Sequence, residues 1–275
     1  KYTIDDRGLD WFRDEVQKRA GAELEEPRQY AFVGNGDVYS WQKDDRGSWH
    51  YTLFIENGRV ADVADRRLMS GLRAIAEVHQ GEFRLTPNQN LSISDISPAD
   101  KARIERLLSK YNIENSEQAT PLRLHSMACV AMPTCALAMA ESERYLPALI
   151  DKLETAMADA GLSSDAITIR MTGCPNGCAR PYIAEIGLVG KGPGRYNLYL
   201  GAGFAGDRLG SLYLDNATET EILDALAPLL ARYRAERNDN ERFGDFLVRA
   251  NVVKAVRAGR YFHADRSLDM TDERA

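Results

Sequence analysis

Thr172-Gly173-Cys174-Pro175-Asn176-Gly177-Cys178-Ala179-Arg180 places two cysteines, a proline and two glycines within nine residues. Gly and Pro at that density mark a tight loop. Upstream, Ser126-Met127-Ala128-Cys129 and Pro133-Thr134-Cys135-Ala136-Leu137-Ala138 carry the other two of the four cysteines, so the chain holds one C-x5-C pair and one C-x3-C pair. In a reducing compartment structural disulfides are disfavoured, which leaves buried thiols, a zinc site, an iron–sulfur cluster or a redox pair. Structural zinc prefers shorter knuckles than C-x5-C, whereas wide, unequal spacings suit the corners of an iron–sulfur cluster. Gly173, Pro175 and Gly177 let the backbone turn and present N–H groups to sulfur. A helix starting near Cys178 would add its dipole.

Outward from the cysteines, Cys135–Glu143 and Leu146–Ala160 read as helices, and Ile167–Met171, Ile183–Val189, Tyr196–Leu200 and Ser211–Leu214 as strands. Thr218 and Glu221 form a capping box for a helix to about Tyr233, with Pro228 as a local conflict. Before the cysteines, Trp49–Glu56 is a strand pattern that turns at Asn57-Gly58. Asp65–His79 is helical, Phe83–Thr86 and Leu91–Ile93 are strands, and Ser97 caps a helix whose buried face is Ile104, Leu107, Leu108 and Tyr111. The order β-α-β-β-α predicts a layered α+β unit over 46–115. Residues 4–20 predict one opening amphipathic helix ending at Gly21, and Ala22–Gly47 reads as a polar boundary.

The composition, 275 residues with 44% hydrophobic and 28% charged, is that of an ordinary folded chain, and no apolar run reaches membrane-span length. A net charge of −6 argues against nucleic acid as the main partner. The expected location is cytoplasmic, and the absence of an initiator Met suggests the later part of a longer protein.

The two cysteine stretches resemble the cluster motifs of the sirohaem-containing sulfite and nitrite reductases. Trp49–Gly58, Arg84-Leu85-Thr86-Pro87-Asn88-Gln89-Asn90, Gly187–Asn197 and Phe243-Gly244-Asp245-Phe246 are similar blocks, extending the resemblance over about 46–250. It implies a [4Fe–4S] cluster on Cys129, Cys135, Cys174 and Cys178, with Cys178 also bridging to the sirohaem iron and thereby acting as the catalytic cysteine. Asn176, Arg180, Lys191 and Arg195 are the implied cofactor-binding residues. The implied reaction is assimilatory six-electron reduction of sulfite to sulfide. Gly177 and Ala179-Arg180 look more like sulfite than nitrite reductases, and Met139-Ala140-Glu141 resembles the haemoprotein subunit of bacterial NADPH-dependent sulfite reductases. The implied partners are a flavoprotein reductase using NADPH, or a ferredoxin, and the preceding half of a pseudo-twofold fold. The alternatives are sirohaem nitrite reduction, a non-catalytic metal-stabilised module, and a cysteine-only redox switch.

The expected fold class is α+β, a ferredoxin-like half-unit followed by a mixed α/β sirohaem and iron–sulfur domain. Its expected parts are a lead-in at 1–45, the half-domain at 46–115, the cluster domain at 118–265 and a tail at 266–275. Gly201-Ala202-Gly203-Phe204-Ala205-Gly206 spells G-x-G-x-x-G, but turn and strand residues follow it where a dinucleotide site needs a helix, so it reads as a Gly-rich hairpin. His50, His79, His125 and His263 show no ligand spacing and take no role.

Overall fold

The computed structural model describes residues 2–30, 34–113 and 119–256. The expected tail at 266–275 and His263 lie outside the described residues.

Residues 1–34 form one unit and 35–275 another. In the first, the expected single helix is two, α1 (Tyr2–Arg7) and α2 (Leu9–Ala20). Gly8 at φ 87 interrupts them, because its backbone leaves the helical region there. Gly21, also left-handed, ends α2 by donating its N–H to Gln17 O.

The second unit holds two sheets. The first has the order β1-β2-β6-β5, all antiparallel, from Ser40–Lys43, Trp49–Leu53, Leu91–Ile96 and Glu82–Leu85. A two-residue ribbon, β3 (Asp62–Val63) with β4 (Arg66–Arg67), leads into α3 (Leu68–Ala76), and α4 (Lys101–Lys110) follows β6. Tyr51, Leu53 and Ile93 of the sheet pack against Leu68 and Ile75 of α3 and Ile104 and Leu108 of α4, giving one buried layer. The sheet therefore begins at Ser40, inside the stretch expected to be a polar boundary. Asn57 and Gly58 make the expected turn at φ 51 and φ 71, within a 3-10 turn at Glu56–Gly58.

The second sheet has the order β11-β10-β9-β8-β7. Its strands β7 (Ser126–Ala128), β8 (Ile169–Thr172) and β9 (Ile186–Gly192) run parallel, and β10 (Arg195–Leu200) and β11 (Ser211–Ala217) are antiparallel additions. The short helix α5 (Pro121–Leu124) precedes β7, and α6 (Leu146–Asp159) crosses from β7 to β8. Leu149, Ile150, Leu153 and Met157 of α6 share a core with Ile169, Met171, Leu188 and Leu198 of the sheet. Ile222, Leu226 and Leu230 of α7 (Glu219–Glu236) complete it, with α8 (Phe243–Arg249) adding Phe243 and Phe246. The Thr218–Glu221 capping box forms as expected, and α7 continues through Pro228 to Glu236.

Two helical expectations fail around the cysteines. Residues 135–143 form successive turns, because the N–H groups of Met139 and Ala140 both donate to Gly173 O, at 2.7 and 3.0 Å, instead of to their own segment. No α-helix starts near Cys178. The chain makes only the 3-10 turn Pro181–Ile183 before β9, too short to supply a substantial dipole.

Candidate functional site

Parallel pairing brings the cysteine loops together. Ala128 pairs with Met171 across β7 and β8, so Cys129 leaves one strand beside the point where Thr172-Gly173-Cys174 leaves the other. The Cys129 N–H extends the ladder to Met171 O at 3.1 Å, and the Gly173 N–H donates to Cys129 Sγ at 3.3 Å. Gly173 has no room for a side chain, since a Cβ there would lie 2.6 Å from Ala140 O and 2.7 Å from Ala131 Cβ. The first cysteine loop is thus wrapped around the base of the second.

The four thiols are free; Cys174 is buried, Cys129 and Cys135 are partly buried, and Cys178 is exposed. A tetrahedral zinc with Zn–S of about 2.3 Å would draw its sulfurs to about 3.8 Å of one another. Among the described residues, the trio of metal-competent side chains with donors within 4.8 Å is instead Asp44, His50 and Asp95. That trio is already an ion-pair network. Asp95 N–H donates to His50 Nδ1, His50 Nε2 faces Asp44 at 3.5 Å, and Arg46 and Arg84 neutralise the carboxylates. No three of the four thiols come within 4.8 Å of one another. Thr172 Oγ1, buried without a hydrogen-bond partner beside these loops, is a donor that a further sulfur acceptor would satisfy.

The first sheet's loops close on this site. Gln89 Nε2 donates to Ala128 O at 2.8 Å, directly before Cys129, and Arg180 Nη2 donates to Pro87 O at 2.6 Å. Asn57 Nδ2 donates to Glu143 O at 2.9 Å, while the Glu143 carboxylate pairs with Arg59 at 2.6 Å and its N–H donates to Cys129 O. These residues lie in or beside the blocks Trp49–Gly58 and Arg84–Asn90, but their stitching role has no local sequence signal. On the other side Tyr182 OH donates to Pro175 O at 3.0 Å, and its ring stands edge-on to Tyr199. Burial, with Tyr199 and Cys174 nearby, pushes the Tyr182 phenol up to about 12, so it stays a proton donor at neutral pH.

The cofactor-binding candidates divide. Asn176 is exposed on the second cysteine loop, and Arg180, at φ 57, spans from that loop to the 84–90 hairpin. Lys191 is exposed one residue after Gly190, whose backbone presses on Gly173. Arg195 is turned elsewhere: it donates to Asn216 O and faces Glu221 at 3.6 Å, at the start of α7. The G-x-G-x-x-G segment is a turn, with Gly206 N–H donating to Gly203 O, and β11 follows it.

Residues 41–111 match the nitrite/sulfite reductase ferredoxin-like half domain. Over 264 residues, 96% of its length, the chain is 55% identical to the sulfite reductase [NADPH] hemoprotein beta-component of Staphylococcus saprophyticus, and over 263 residues 56% identical to that of Methylocella silvestris. The chain belongs to the nitrite and sulfite reductase family. It spans about half the length of these relatives, 46% of each. The family fold recurs in the structure of the Mycobacterium tuberculosis NirA protein, which superposes with a TM-score of 0.70 at 24% identity, covering 90% of this chain and 47% of that one. Among the described residues no helix is long and apolar enough to cross a membrane.

Proposed function

We propose that this chain is the cluster-bearing later half of an assimilatory sulfite reductase. The reading rests chiefly on the interlocked cysteine loops at the ends of two adjacent parallel strands. Cys129, Cys135, Cys174 and Cys178 would hold a [4Fe–4S] cluster, and exposed Cys178 would also help to hold the sirohaem. When bound, the two groups would relay six electrons from the external donor, taking hydrogensulfite and six protons to hydrogensulfide and three waters. The chain's own part is to fix the positions of the four sulfurs. The Gly173 N–H supports Cys129 sulfur, and the Thr172 hydroxyl is free to support another. Asn176, Arg180 and Lys191 would meet acidic groups of the macrocycle, whereas Arg195 already has Glu221 as a partner. The proposal extends to a cytoplasmic location, to an NADPH-dependent flavoprotein or a ferredoxin as electron donor, and to a preceding half that completes the substrate site. The parts proposed are those expected from sequence, with the half-domain sheet starting at Ser40.

The test is iron and sulfide analysis with a visible spectrum, on chain purified anaerobically from a host that makes sirohaem. About five irons and four sulfides per chain, with chlorin-type bands, support the proposal. A colourless chain holding one zinc overturns it.

A further inference from the structure

Met127 of β7 pairs with Arg170 of β8 on the face of the second sheet turned away from α6 and α7, since Ala128, Ile169 and Met171 beside them enter the core. Two residues beyond Met127 comes Cys129, and four beyond Arg170 comes Cys174. The guanidinium of Arg180, two residues past Cys178, reaches Met127 Sδ at 3.7 Å. Arg170 and Arg180 therefore flank one methionine at the root of both cysteine loops.

Among the described residues, neither arginine meets a carboxylate. Arg180 spends its Nη2 on Pro87 O and Met127 Sδ, and Arg170, only 8% exposed, has no hydrogen-bond or ion-pair partner at all. An unpaired buried cation is costly. Asp37 is close enough to act on the same His125 ring as Arg170, but Thr86, Asn88 and Asn90 already hold it. Burial, reinforced by repulsion from Arg180, lowers the Arg170 guanidinium to about 10, which still leaves it charged at neutral pH. The fold thus keeps two like charges together behind the cysteine loops, a surplus that a negative group there would offset.

We propose that Arg170 is the buried counter-charge of the cluster and raises its reduction potential through space. The inference rests on the function proposed above. Four thiolates leave an oxidised [4Fe–4S] group with about two negative charges, and an electron taken up adds one, so a fixed cation nearby favours the reduced state. Burial limits the screening of that cation by salt. Lysine at this position would supply the same charge, whereas methionine or glutamine would not.

The test is an EPR-monitored redox titration of the full chain, purified anaerobically from a host that makes sirohaem, in wild type, R170K, R170M and R170Q. At a fixed potential R170M and R170Q should hold about tenfold less reduced relative to oxidised cluster, a midpoint lower by about 59 mV, and R170K should stay within about threefold of wild type. If R170M and R170Q lose their iron, R170K decides, with wild-type iron and midpoint supporting the proposal and loss of iron overturning it. Midpoints of R170M and R170Q equal to wild type, or an R170K midpoint shifted as far as theirs, overturn this inference while leaving the cluster in place. A wild-type chain without iron overturns both this inference and the function proposed above.

Discussion

Gln89 and Ala128 are joined by a 2.8 Å hydrogen bond from the amide side chain of one to the carbonyl of the other. This bond fastens the 84–90 hairpin of the first sheet to the last residue of β7, immediately before Cys129. It sets where the first cysteine loop begins.

Replacing Gln89 by leucine removes that donor and leaves a buried carbonyl unpaired. The expected loss is about 1–3 kcal/mol of stability, read as a lower urea midpoint with an unchanged slope. If the half-domain merely lies beside the cysteine region, the midpoint will not move.

Gly190 and Gly192 offer a paired comparison on one strand. A Cβ at Gly190 would sit 2.5 Å from Gly173 O and 2.7 Å from Ala140 Cβ, whereas one at Gly192 meets nothing within 4 Å. Gly190→Ala should therefore cost about 1–3 kcal/mol by overpacking and lower the iron retained per chain. Gly192→Ala should leave both close to wild type. Equal iron content in the two variants would mean that the packing of β9 on Gly173 does not hold the cysteine loops.

How far the sequence reveals this arrangement depends on the range of each signal. The Thr218–Glu221 box and the Asn57-Gly58 turn are local chemistry, and both form where the residues predict them. The cysteine spacing marks a candidate site through residue order alone. By contrast, β7 is three residues long and exists because Ser126 pairs with Ile169 far along the chain, which periodicity cannot register. Cys135–Glu143 has a helix-forming composition, but Gly173 O takes two of its N–H groups and tertiary contact overrides propensity. Arg195 follows the same logic, since only the fold brings Glu221 to it.

Tyr182 tests a weaker tie. Its hydroxyl donates to Pro175 O at 3.0 Å, inside the second cysteine loop. Tyr182→Phe should keep the ring against Tyr199 and cost only about 0.5–1.5 kcal/mol. Its visible effect should be faster loss of colour in air, as the 174–178 loop loosens. Unchanged bleaching kinetics would show that Gly173 and Gln89 suffice to hold the loops.

Glu185 gives a pH signature well away from the cysteines. It is fully buried, and its carboxylate accepts from the N–H and hydroxyl of Thr168 and from the N–H of Gly244, tying β8 to α8. Those donors favour the charged form, but burial outweighs them and raises its pKa above the usual carboxylate range. A folded-state pKa above the unfolded value means that the folded chain binds the proton more tightly. The stabilisation is complete below the unfolded pKa, near 4.5, and is lost as pH rises through the raised folded value. Glu185→Gln cannot titrate, so the stability of wild type relative to this variant should fall as pH climbs from about 4 through that window, then level off. Urea titrations of both proteins at successive pH values measure the difference. A wild-type advantage that instead grows with pH would mean that the three donors outweigh burial and that Glu185 is held ionised.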